Sequence, residues 1–310
     1  MMKRRQAMAT GVLAAITIFC GGCLGGAGAG SGTAHDETLD EQVDRIVSSM
    51  STSEKVGQMV MIGIHGQDVT DDSLYMLHQY HTGGVVLFDR NLASTEQVTA
   101  LTEHLQAQAD QKVPLFIGID EEGGDVVRGK GFLTPPPSQK EIGAAGEVTA
   151  AEEWASKTAV SLKKMGINVN FAPVADVGSP DRRSYSTDPD QVTKFVQAAA
   201  QGYEQNRELY ALKHFPGIGR GRVDSHQEVS EITASKDELM QQDIVPFRTM
   251  IDERQAEDYF ILVSHLKYPA LDAVNSASQS KAIMTDFLRG ELGFNGLIIT
   301  DDMEMGAVSR

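Results

Sequence analysis

Thiols are scarce in this chain: Cys20 and Cys23 are its two cysteines, and both lie at the end of an N-terminal apolar run, so the folded part holds neither thiol nor disulfide. A redox pair or half a zinc site would need a second pair or a βαβ setting around this CxxC, and neither is there. Positive charge is also short, with 27 Lys and Arg against 43 Asp and Glu and a formal net charge of −16. So acidic a surface repels phosphate backbones and anionic lipid, which argues against nucleic acid as a partner. No G-x-G-x-x-G follows the first strand-like run, no Walker loop occurs and H-E-x-x-H is missing. Metal-dependent barrel hydrolases begin with His-x-His on their first strand, whereas here that strand ends Ile62-Gly63-Ile64-His65-Gly66. No metal and no cofactor are expected.

What is present begins with a targeting segment. Met1 to Gln6 is basic through Lys3, Arg4 and Arg5, and Ala7 to Phe19 is an apolar run too short to span a bilayer as a mature helix. Gly21 and Gly22 before Cys23 resemble a bacterial lipoprotein cleavage site, in which the cysteine becomes the lipidated first residue; Cys20 departs from the leucine usual at its place. Leu24 to His35 then has the composition of a flexible tether. The expected division is a lipoprotein-type leader over 1–22, a tether over 23–38 and one catalytic domain over 39–310. The protein is expected to be exported and held, through its lipid anchor, on the outer side of the cytoplasmic membrane or in the cell envelope.

From Val56 onward, short β-rich runs alternate with amphipathic stretches, the pattern of a parallel sheet covered by helices. Strands are predicted at 58–64, 83–88, 114–120, 167–177, 210–215, 259–265 and 296–301, and helices at 94–109, 149–165, 190–205, 235–253 and 281–292. Ionisable residues gather where strands end: Asp120, Asp176, Lys213 with His214, His265, and Asp301 with Asp302. A β/α barrel places its catalytic face at those ends, so one architecture collects them all around one pocket. A doubly wound open sheet is the alternative. A complete barrel needs an eighth strand and a closing helix, yet only nine residues follow Asp301 and they read as a helix start. The expected fold is therefore a TIM-type (β/α)8 barrel lacking its last strand and helix in this chain.

Three segments carry chemistry. Asp120-Glu121-Glu122-Gly123-Gly124, followed by Arg128, ends a strand in acid and opens into glycines that let backbone approach a ligand, while Asp120 can accept two sugar hydroxyls. Lys213-His214-Phe215-Pro216-Gly217 is followed by a Gly-rich loop and by Asp224-Ser225-His226, where Asp224 can orient His226 and raise its basicity. An apolar strand, Gly296 to Thr300, delivers Asp301 into the pocket, with Asp302 read as the cap of the next helix and Met303 and Met305 as packing.

In this order, IDEEGGDVVR, KHFPG, DSH, VSHLKYPALD and ITDDMEMGA resemble glycoside hydrolase family 3, in its β-N-acetylglucosaminidase branch, from Leu39 to the end. The resemblance implies retention of anomeric configuration by double displacement, with Asp301 as nucleophile, His226 as acid/base and Asp224 as its dyad partner. It implies that Asp120, Arg128, Arg183, Lys213 and His214 bind the terminal sugar, and that His265 lines the pocket wall. The implied substrate is a β-N-acetylglucosaminide such as a peptidoglycan fragment. One stretch departs from the branch: where KHFPG is often followed by His, Gly and Asp, this chain has Ile218, Gly219 and Arg220. Arg220 and Arg222 could favour an anionic substrate, or simply form a solvated loop.

The chemistry also follows from the residues themselves. A retaining glycosidase usually pairs two carboxylates about 5 Å apart, but no motif here offers a second acid, whereas a His beside an Asp is present. A neutral base repels an anionic acceptor less than a carboxylate does, so phosphorolysis of the same linkage is the alternative reaction. A non-catalytic sugar-binding lipoprotein is the alternative outside enzymes.

Overall fold

The computed structural model describes residues 37–109, 112–221 and 231–305. The described chain divides into two units, 37–45 and 46–305. In the first, Arg45 Nε pairs with Glu37 Oε1 at 2.8 Å.

The second unit is built on seven parallel strands in sequence order: β1 (Met61–Gly63), β2 (Gly84–Leu87), β3 (Phe116–Ile119), β4 (Val169–Asn170), β5 (Leu209–Phe215), β6 (Tyr259–Val263) and β7 (Leu297–Thr300). Sequential parallel order with helical crossovers is the TIM-type arrangement, here with seven strands among the described residues. Alternation along the strands sorts the side chains. Val86, Phe116, Val169, Ala211, Phe260, Leu262 and Ile299 form one cluster on the concave face, while Val85, Leu87, Ile117 and Ile119 pack under the helices.

The helices are α1 (Leu39–Ser49), α2 (Thr52–Gln58), α3 (Asp71–Tyr80), α4 (Thr95–Gln108), α5 (Gln139–Ala145), α6 (Val148–Lys164), α7 (Pro189–Gln205), α8 (Lys236–Gln241) and α9 (Val245–Glu253), followed by a π-type helix, Ala282–Glu291. α7 shows why such segments fold: Asp188 caps it, Pro189 occupies its first turn, and Val192, Phe195, Val196, Ala199, Ala200 and Tyr203 recur at helical spacing on one buried face. Gly202 lets α6 approach closely, because a Cβ there would strike the Glu152 carbonyl oxygen and lie 2.9 Å from Ala155 Cβ.

Three expectations need correction. The first strand is shorter than predicted, since a capping box between Ser51 and Glu54 makes 52–58 helical and puts Gln58 at the end of α2. The stretch over 167–177 yields only the two residues of β4, because Pro173 cannot donate to a ladder and the segment beyond continues irregularly. The predicted helix over 235–253 is two helices, broken around Gln242. After Asp301 the described chain forms a turn, in which Asp302 Oδ1 accepts from the Glu304 backbone N–H at 2.9 Å.

Candidate active site

The candidate site is built at the C-terminal ends of β3, β4 and β5. Asp120 and Glu122 continue the inward alternation of Phe116 and Gly118 beyond β3, so both carboxylates face the barrel axis. Gly123 and Gly124 then turn the chain with φ of 96° and 57°, and a Cβ on Gly124 would lie 2.5 Å from Ser138 Cβ. On β5, Lys213 continues the inward set of Leu209 and Ala211, and a register shift between Lys213 and Phe215 brings His214 to the same rim.

These residues form one chain of alternating charge. Lys213 Nζ lies 2.7 Å from Asp120 Oδ1 and 2.6 Å from Glu122 Oε1. Glu122 accepts in turn from Arg183, Nε to Oε2 at 2.9 Å and Nη2 to Oε1 at 2.8 Å. Arg183 Nη2 also donates to His214 Nε2 at 3.1 Å; a guanidinium only donates, so Nε2 accepts and Nδ1 carries the hydrogen, given to Asp176 Oδ2 at 2.7 Å. The other Asp176 oxygen accepts the backbone N–H groups of His214 at 3.2 Å and Ile218 at 2.8 Å.

Burial alone would push the Glu122 carboxyl up, but Lys213 and Arg183 outweigh it and hold this group at about 2. Lys213 shows the mirror effect: burial lowers its ammonium, and Asp120 with Glu122 raise it above its ordinary value. Both stay ionised. Asp120 keeps lone pairs toward solvent, with Arg128 Nη2 3.8 Å from its Oδ2, while Arg128 Nη1 lies 3.3 Å from Asp89. Glu121 faces away and staples the following loop by accepting the N–H groups of Arg128 at 2.8 Å and Gly129 at 3.1 Å.

Asp120, Arg128, Arg183, Lys213 and His214 are thus brought together. Asp301 and His265 form a second group at the ends of β6 and β7: the Asp301 backbone N–H donates to Val263 O at 2.9 Å, and its Oδ1 accepts from the Asp302 N–H at 2.9 Å. His265 is buried with both ring nitrogens engaged, by Ser278 Oγ at 2.6 Å and by Asp302 O at 2.8 Å. Asp224, His226 and Cys23 lie outside the described residues. Sequence reasoning assigns no chemistry to Glu122 and places Asp176 only among the strand-end residues, although the inward parity of positions 120 and 122 points to the first.

The family model for the glycosyl hydrolase family 3 N terminal domain matches residues 51–310. The chain belongs to glycosyl hydrolase family 3. Among its relatives in the family, it is 39% identical over 259 residues to Beta-hexosaminidase A of Pseudoalteromonas piscicida, covering 76% of this chain and 43% of that protein. It is 36% identical over 260 residues to a Beta-hexosaminidase of Stenotrophomonas maltophilia strain R551-3, covering 80% and 76%. The family 3 β-N-acetylglucosaminidase from Paenibacillus sp. str. FPU-7 superposes with a TM-score of 0.80 at 35% identity, covering 84% of this chain and 51% of that one. The chain therefore spans about half the length of the first of these relatives and of the solved one. The fold, a TIM-type barrel, and the family agree with the expectations from sequence.

Proposed function

We propose that this family 3 chain is a retaining exo-β-N-acetylglucosaminidase acting on glycans such as peptidoglycan fragments, and that it is exported and anchored through lipidated Cys23. The observation that carries this reading is the buried Asp120–Lys213–Glu122–Arg183–His214 network at the strand ends, with Asp301 delivered on the same rim. Such a network offers fixed donors and one half-exposed carboxylate acceptor, which is what a ring of sugar hydroxyls needs.

In the first step the Asp301 carboxylate attacks the anomeric carbon while His226 gives its proton to the departing glycosidic oxygen, forming a glycosyl ester and a free hydroxyl. In the second, the imidazole takes a proton from water, the resulting hydroxide displaces Asp301, and N-acetylglucosamine leaves with its β configuration restored. Asp224 orients the imidazole. Lys213, Arg183, Asp120 and Arg128 hold the terminal sugar, while His214, with both ring nitrogens engaged, fixes Arg183.

The test is turnover of an aryl β-N-acetylglucosaminide with and without phosphate, with identification of the sugar released. Free N-acetylglucosamine in both buffers is expected; a sugar 1-phosphate formed only with phosphate moves the reading to a phosphorylase. Asp301→Ala should abolish turnover on every substrate, and a slow fluorosugar should label Asp301. A label on Asp302 or Glu304 overturns the nucleophile assignment.

A further inference from the structure

The β6 end does something other than line a sugar pocket. His265 is 1% exposed. Its Nε2 lies 2.8 Å from the carbonyl oxygen of Asp302, and a carbonyl oxygen only accepts, so Nε2 carries the hydrogen. Nδ1 is then the acceptor, at 2.6 Å from the Ser278 hydroxyl. Neither nitrogen remains for a sugar hydroxyl. We infer that His265 is a positioning residue for the nucleophile, fixing the turn that follows Asp301 and thereby aiming its carboxylate.

This rests on Asp301 being the nucleophile, as proposed above, and it is argued from what holds that residue. Asp301 stands one position beyond β7, and its N–H bond to Val263 O follows the last register pair, Val263 with Thr300. The Asp301 carboxylate accepts from the N–H of Asp302, so the orientation of that residue's backbone sets the orientation of the carboxylate. Asp302 O is held from one side by His265 and from the other by the Met305 N–H at 3.1 Å. His265 in turn extends from β6, all five of whose residues are buried, and from Ser278, whose backbone N–H donates to Ser264 O at 3.0 Å. A rigid strand thus reaches across to the partly exposed neighbouring strand β7 and fixes the turn where ladder pairing ends. Reacting groups tolerate displacements of only about 0.5 Å before rate is lost.

The experiment uses the intact protein and four forms: parent, His265→Ala, His265→Gln and Ser278→Ala. Each is measured for kcat and KM on the aryl glycoside, for inhibition by free N-acetylglucosamine, and for the first-order rate of labelling by the slow fluorosugar. In His265→Ala, kcat and the labelling rate should fall together by about 30- to 100-fold, with KM and the inhibition constant within about twofold. His265→Gln, whose amide N–H can reach Asp302 O, should recover about tenfold of that loss. Ser278→Ala should lose about threefold in kcat, because the ring keeps its place but not its fixed tilt.

Weakened sugar inhibition with kcat intact would make His265 a sugar ligand and overturn the inference. So would a drop in melting temperature with kcat and labelling unchanged. Should His265→Ala not fold, Ser278→Ala decides: a kcat equal to the parent's overturns the inference. A parent label on a residue other than Asp301 removes the nucleophile assignment and this inference together, whereas failure of the variants with Asp301 labelled removes this inference alone.

Discussion

Two buried glutamates show how the surroundings of a single carboxyl set the sign of its contribution. Glu122 lies between Lys213 and Arg183 and is held at about 2, below its ordinary value, so the stability it contributes is present above the ordinary glutamate pKa and is lost as pH falls toward 2. Glu208, just before β5, is 3% exposed, and its Oε1 has no hydrogen-bond partner among the described residues. Burial pushes it up to about 8, against a small opposing pull from Lys163. Below about 4.5 the folded and unfolded chains both hold its proton. As pH rises from there to 8 the unfolded chain ionises while the folded one resists, so stability is lost across that window. Glu208→Gln keeps the shape and removes the charge. It should leave stability nearly unchanged at pH 4 and raise it by on the order of 2 kcal/mol at pH 8, read by denaturant unfolding at both values. An equal effect at both values would contradict the burial argument.

At the scale of elements, Arg220, four residues before Asp224 in the sequence, is tied to the turn between α8 and α9. Arg220 Nε donates to Asp243 Oδ2 at 2.9 Å, and Asp243 is buried with its Oδ1 unpartnered among the described residues. Burial pushes the Asp243 carboxyl up and Arg220 pulls it back. Arg220→Ala therefore leaves a buried charge without its counter-ion and should cost about 2 kcal/mol at pH 7, less in acid where the carboxyl takes a proton. Adding Asp243→Asn should recover most of that loss in thermal unfolding; a double variant as unstable as the single one would show that the pair does not act through charge. The sequence marked Arg220 only as a departure from a pattern, because its partner is 23 positions away and no local signal joins them. Strands β2, β3, β6 and β7 were legible to within a few positions, since each is a short apolar run between turn residues. α3 went unseen although Thr70 caps it with Ser73. Strand-end acids were legible as candidates, and that Glu122 rather than Glu121 faces the cations follows from its sharing the parity of Asp120.

The whole molecule adds a question of place. Among the described residues no helix is long and apolar enough to cross a membrane. The chain carries a formal charge of −16, and on the proposed processing at Cys23 it would lose Lys3, Arg4 and Arg5, which would make the mature surface more acidic still. An anionic lipid surface repels such a protein, and no basic patch follows Cys23 to serve as a second attachment. Membrane attachment would then rest on the acyl chains alone, each buried methylene contributing about 0.8 kcal/mol. Changing the acceptor removes all of it at once. Cys23→Ser, expressed in a host with lipoprotein processing, should move the protein from the membrane fraction to the soluble fraction. Its kcat and KM on the aryl glycoside should match the parent's, because the site is built from residue 89 onward. Raising salt should not detach the parent, since screening weakens only electrostatic attachment. A Cys23→Ser protein still sedimenting with membranes, or a parent released by salt, would show that something other than a lipid on this cysteine holds the enzyme.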